Sequence, residues 1–103
     1  MGAIDFFVTA TGSDLSAAFS AAREEAAREY GSGAYSGSVA AKDEVVLLDE
    51  PRRSEGDAMA RADELLIGDH PQIGSTWGPA GALPIVANGS GEDGWLIFGL
   101  AAY

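Results

Sequence analysis

The spacing of apolar residues changes abruptly near the start of this chain. Across residues 3–10, Ile4, Phe6, Val8 and Ala10 fall on one side of an extended backbone, and Asp5, Phe7 and Thr9 on the other. A period of two predicts a strand. From residue 15 the spacing becomes three and four, so that Leu15, Ala18, Phe19, Ala22, Ala26 and Tyr30 form one stripe along a helix. Glu24 and Arg28 stand at i,i+4 on the opposite face, in the favourable order. Strand and helix must therefore share one core. Gly12 separates them, Ser13-Asp14 supplies a capping hydroxyl and an acid for the positive helix end, and Gly31 supplies a stop.

The same signals recur downstream. Residues 33–42 are small and compatible with a strand, Asp43-Glu44 reads as a turn, and Val45-Val46-Leu47-Leu48 reads as the partner strand of a hairpin. Ser54-Glu55-Gly56-Asp57 resembles a capping box. After it Ala58, Ala62, Leu65 and Leu66 share a helix face, with Met59 at its edge, until Gly68. Residues 68–81 are rich in Gly and Pro, and Trp77 is the expected anchor of that loop. Residues 82–87 and 94–102 read as two further strands around the turn chemistry of Asn88–Asp93. Pro84 places the first of these at a sheet edge or makes it start late. The expected order is β-α-ββ-α-ββ. The expected fold class is α+β, a mostly antiparallel sheet with both helices packed on one face, in a single domain over 1–103. A parallel pair across the first helix is compatible with this order.

Charge narrows the function. The chain has 103 residues and a net charge of -10. With 47% apolar residues it carries a core, unlike an acidic disordered tail. Too few Lys and Arg are present to neutralise phosphates, so nucleic acid is not expected as a direct partner, nor is an anionic membrane surface. All Lys and Arg occur at or before Arg61, whereas Asp63, Glu64, Asp69, Glu92 and Asp93 follow it. No run approaches 18 apolar residues, and the N-terminal stretch lacks the basic start and apolar stretch of a signal peptide. A cytoplasmic protein is expected.

Catalytic chemistry finds little support. The absence of cysteine excludes disulfides, thiolate metal sites and thiol nucleophiles. A single histidine, His70, makes a zinc site improbable, and no calcium-loop pattern occurs. No Gly-x-Ser-x-Gly turn pairs a serine with His70. The run Gly31-Ser32-Gly33-Ala34-Tyr35-Ser36-Gly37 follows a helix and lacks Gly-Lys-Ser/Thr, so it fits no nucleotide loop. A non-enzymatic protein without cofactor or metal is expected.

Acidic pairs remain: Asp43-Glu44, Asp49-Glu50, Asp63-Glu64 and Glu92-Asp93. They fall at expected turns or exposed helix faces. One reading is a solvated surface that confers solubility. The other is an anionic surface complementary to a basic groove that grips duplex DNA, which carries a charge about every 1.7 Å of axis. On the second reading the partner-binding carboxylates are Asp49, Glu50, Asp57, Asp63, Glu64 and Asp69.

The stretch Tyr30-Gly31-Ser32-Gly33-Ala34-Tyr35-Ser36-Gly37-Ser38-Val39-Ala40-Ala41-Lys42, following Ala18-Phe19 and Glu24-Glu25-Ala26, resembles a group of small phage and actinobacterial proteins. That group shares a helix followed by Gly-x-Gly-x-Tyr-Ser/Thr-Gly-Ser/Thr-Ile/Val-Ala-x-Lys. Trp77-Gly78-Pro79-Ala80-Gly81-Ala82 and Phe98-Gly99-Leu100-Ala101-Ala102 are similar to the same group. The resemblance implies no catalytic role. A phage setting, with size and acidity, suggests an anti-CRISPR-like inhibitor acting as a DNA mimic. Its partner would be a basic nucleic-acid-binding complex such as a CRISPR effector, and the chain itself a monomer or homodimer. The alternative is a phage accessory or structural protein that docks another protein through the Gly/Tyr strand and the Trp77 loop.

Overall fold

A computed structural model describes residues 2–11, 14–31, 37–68, 73–86 and 93–103, with nothing assigned to the side chain of Asp93. The first strand, β1, spans Ala3–Thr11 and the first helix, α1, Leu15–Tyr30, so the two opening periodicities are realised as read. Asp14 caps α1: its carboxylate accepts the Ala17 N–H at 2.9 Å. The acid expected to complement the helix end thus also performs the capping expected of Ser13, which lies outside the described residues. Gly31 ends α1 with φ 89°, a backbone that residues bearing a Cβ rarely adopt.

The expected strand over 33–42 is not formed in its described part; residues 33–36 lie outside it. Ser38 Oγ accepts the Ala40 N–H at 3.2 Å and starts a short 3₁₀ turn over Val39–Ala41. That local side-chain bond offers the backbone an alternative to a strand ladder, and the small residues fit a tight turn as readily as a strand. No hairpin with residues 45–48 is therefore formed among the described residues. β2, at Val45–Leu47, instead pairs in parallel with β3, at Ala80–Val86, aligning Val45 with Ala80. Helix α2, at Glu55–Ile67, lies between them in sequence, so β2-α2-β3 is a βαβ unit. The parallel pair spans the second helix, not the first. Ser54 caps α2 by accepting the Asp57 N–H at 3.2 Å, as the capping-box pattern implied.

β4, at Asp93–Ala102, completes a four-stranded sheet ordered β1-β4-β3-β2, antiparallel except for the β2–β3 pair. The α+β class holds. The helices, however, do not share a face. Ala80, Ala82, Ile97 and Ala101 pack with Phe6, Phe19, Ala22 and Ala26 on the α1 side. Leu83, Ile85, Leu96 and Phe98 pack with Ala58, Ala62 and Ile73 on the α2 side. Side chains alternate across a strand, so these sets belong to opposite faces of the sheet. Phe7, on the opposite side of β1 from Phe6, packs on the α2 side, and Trp95 packs on the α1 side.

Pro84 does not mark an edge, since β3 has a neighbour on each side. Ala82 and Pro84 direct their carbonyls towards the β2 side, where Leu48 N–H donates at 2.9 Å and Arg53 N–H at 3.2 Å. Pro84 stands between these two bonds, where the intervening chain offers no ladder partner for a missing N–H. The constraint read from proline is real, but an irregular neighbour satisfies it. At Gly81 a Cβ would lie 2.8 Å from Ile73 Cδ1 and 2.9 Å from Phe98 Cζ. The chain passes so close to Ile73 that only glycine fits without rearrangement. Ile73, fully buried, anchors the loop that Trp77 was expected to hold; the indole is 66% exposed.

Candidate functional site

Most cations in this protein are engaged in internal contacts, and Lys42 alone among them is buried. Lys42 is buried, and its ammonium donates to the carbonyls of Thr76 at 2.8 Å, Gly78 at 2.9 Å and, more weakly, Ser75 at 3.4 Å. Arg52 Nη1 donates to the carbonyls of Ile85 at 2.9 Å and Gly94 at 3.1 Å. Arg53 and Arg61 converge on Glu50, at 2.7 Å from Arg53 Nη1 and at 2.9 Å and 3.0 Å from Arg61 Nε and Nη2. Arg23 lies 5.7 Å from the Phe19 ring and 3.6 Å from an Asp43 oxygen. Arg28 sits in the last turn of α1, where a cation complements the helix end. Most of the positive charge therefore serves the fold. Among the described side chains every carboxylate except that of Glu50 is exposed, and the surface is left acidic.

The six carboxylates singled out from sequence separate into different environments. Glu50 is largely covered and committed to Arg53 and Arg61; hydrogen bonding from Arg61 holds its pKa below the ordinary 4.5, against the opposing effect of burial. Arg61 is raised in turn, first by its hydrogen bond to Glu50. Asp49 is exposed beside them. Asp57, Asp63 and Glu64 are exposed on α2. Asp57 and Glu64 are seven residues apart and share one stripe, while Asp63 lies about 100° round the helix from Glu64. Glu64 also accepts from Arg61 Nη1 at 3.4 Å. Asp69 lies outside the described residues, as do His70 and the Asn88–Glu92 part of the expected turn. So α2 brings three of the six onto its outer surface, and Glu50 is turned towards its own arginines.

One concave feature was not anticipated. Residues Ala41–Glu44 and Thr76–Pro79 face each other across an open groove of about 380 Å³. The exposed indole of Trp77 and the exposed Asp43 and Glu44 line it. Its two walls are tied together. Lys42 holds the Ser75–Gly78 carbonyls, and Ala80 N–H donates to the Glu44 carbonyl at 2.9 Å. Desolvation by burial lowers the Lys42 pKa from its ordinary 10.5. The signal for this groove was present in the sequence as the single lysine beside an acidic pair, yet nothing local linked it to Trp77.

No family model, curated protein or solved structure matches this chain. Among the described residues no cluster of His, Cys, Asp or Glu could hold a metal ion, and no helix is long and apolar enough to cross a membrane.

Proposed function

We propose that the protein is an acidic, non-enzymatic inhibitor that occupies the nucleic-acid-binding surface of a basic host complex, in the manner of an anti-CRISPR DNA mimic. The observation that carries this reading is that most cations are engaged by carbonyls or by Glu50 while the other described carboxylates stay exposed. Cations that would neutralise the surface are spent on internal carbonyls and on Glu50, while Asp49, Asp57, Asp63 and Glu64 face solvent. An uncompensated anionic surface is steered towards clustered Lys and Arg and competes with phosphate there. A phage setting, expected from the Tyr30–Lys42 stretch, would make a defence complex the target. The test is DNA binding by purified CRISPR effectors, with and without the protein, at low and high salt. Inhibition that falls steeply with salt and is lost in a variant carrying Asp57→Lys, Asp63→Lys and Glu64→Lys is expected. Inhibition unchanged in that variant would sink the mimic.

A second reading has one observation of its own. Trp77 is a large, exposed aromatic on a tethered loop, which suits a phage accessory or structural protein that docks another protein. Binding of that kind would persist in high salt and disappear with Trp77→Ala.

A further inference from the structure

We infer that the groove between residues 41–44 and 76–79 receives an arginine side chain of the protein partner. The Trp77 indole would be the stacking surface and the Asp43 and Glu44 carboxylates the counter-ions. This rests on the reading above that the partner is basic, and it names a point where the acidic surface gains specificity.

Three observations lead here. First, the groove is concave and carries an exposed tryptophan. Tryptophan offers the best cation–π face of the aromatic side chains, and with arginine it is enriched among residues that dominate binding energy. Second, the walls are fixed before any partner arrives. The Lys42 bonds to Thr76 and Gly78 and the Ala80–Glu44 backbone bond span the groove, so little ordering cost falls on association. Third, the charge selects a cation. The Lys42 ammonium has three donors and three carbonyls already take them, so it offers nothing to an anion. Asp43 and Glu44 outweigh its single charge at the mouth. The Asp43 side chain is 94% exposed, and its contact with Arg23 is long at 3.6 Å, a surface pair that an incoming guanidinium can replace at small cost. Arginine fits better than lysine because its planar group stacks on an indole while its edge donates to carboxylates.

The experiment is a titration of ¹⁵N-labelled protein with N-acetyl-arginine methylamide and, separately, with its citrulline counterpart, which keeps the shape and lacks the charge. Saturable shifts centred on the Trp77 indole N–H and the Asp43 and Glu44 amides are expected with the arginine probe. They should vanish in Trp77→Ala and weaken about two- to five-fold for each carboxylate removed by Asp43→Asn or Glu44→Gln. The indole is exposed, so Trp77→Ala is expected to fold, and the two carboxylate variants test the site without touching it. An equal response to citrulline would overturn the inference, as would shifts spread over the exposed acids without a maximum at the groove. The effector assay separates the two levels. Arginine binding at the groove without inhibition of any effector rejects the function and keeps the groove. Inhibition by Trp77→Ala equal to wild type, with no arginine-probe shifts in the wild-type protein, rejects the groove and keeps the function.

Discussion

Replacing Lys42 with methionine keeps an unbranched stem in the same buried space and removes only the ammonium. Its bonds to Thr76 and Gly78, at 2.8 Å and 2.9 Å, are of good length, whereas that to Ser75, at 3.4 Å, is marginal. A hydrogen bond to a charged group contributes roughly 1.5–3 kcal/mol net, so two good ones suggest about 3–6 kcal/mol. Burial lowers the Lys42 pKa, so desolvation is incompletely repaid and the lower end of that range applies. The exposed side of the loop also lets water reach some of the freed carbonyls. The balance is a destabilisation of about 2 kcal/mol, or on the order of 10 °C in Tm for a domain of this size. Thermal and urea denaturation of wild type and Lys42→Met measure it. Hydrogen exchange supplies a local readout: the amides of Gly78 and Ala80, bonded to Ser75 and Glu44, should exchange faster in the variant. The pH dependence gives a third. The folded pKa lies below 10.5, so between that lowered value and 10.5 the unfolded chain binds more protons. Wild-type stability therefore rises with pH across that window, is greatest above it, and falls back as pH drops through the folded value. Lys42→Met should lack that rise. A variant as stable as wild type, with unchanged exchange at Gly78 and Ala80, would refute the idea that the ammonium ties the loop to the sheet.

Other expectations follow from single contacts. Lys42 is the chain's one lysine and only 2% exposed; an amine-reactive ester followed by peptide mapping should modify it slowly in native protein and rapidly in urea. Ile73→Ala removes a fully buried anchor and should cost about 2–5 kcal/mol in urea denaturation. Gly81→Ala should cost about 1–3 kcal/mol by forcing Ile73 and Phe98 apart. The lowered pKa of Glu50 means that its contribution to stability is fully present above pH 4.5 and lost as pH falls through the folded value. Thermal melts of Glu50→Gln from neutral to acid should accordingly show a shallower acid limb than wild type.

Those elements that depend on neighbours in sequence were legible. The stripe from Leu15 to Tyr30, the alternation over 3–10 and the Ser54 cap are local patterns with local causes. The side of the sheet taken by each helix was also encoded, less obviously. Ala80–Val86 and Trp95–Leu100 are nearly continuous apolar runs, and such runs suit strands covered on both faces. Residues 37–42 misled because Ser, Val and Ala suit several backbones, and the Ser38 hydroxyl decides among them. The candidate site was harder. Glu50 read as a surface acid because its partners stand three and eleven residues away, brought together by the approach to α2. Lys42 read as the end of a strand because the carbonyls that bury it come from residues 75–78. Exposure of acids along α2 was readable from helix period alone; a groove made by two distant segments was not.

The order of strands has a consequence for how the chain assembles. β4 is the last strand along the chain, yet it stands second in the sheet and holds both β1 and β3. Before it is in place, β1 has no partner in the sheet and β3 has only the three residues of β2. The pair between β1 and β4 joins residues as distant as Ala3 and Ala102, a closure whose entropy must be met before its bonds form. During synthesis α1 can form early, but its apolar stripe waits for a sheet that assembles only after residue 102 has emerged. Folding should therefore be a late, concerted event, and a chain stopped before Gly94 should remain a substrate for proteases.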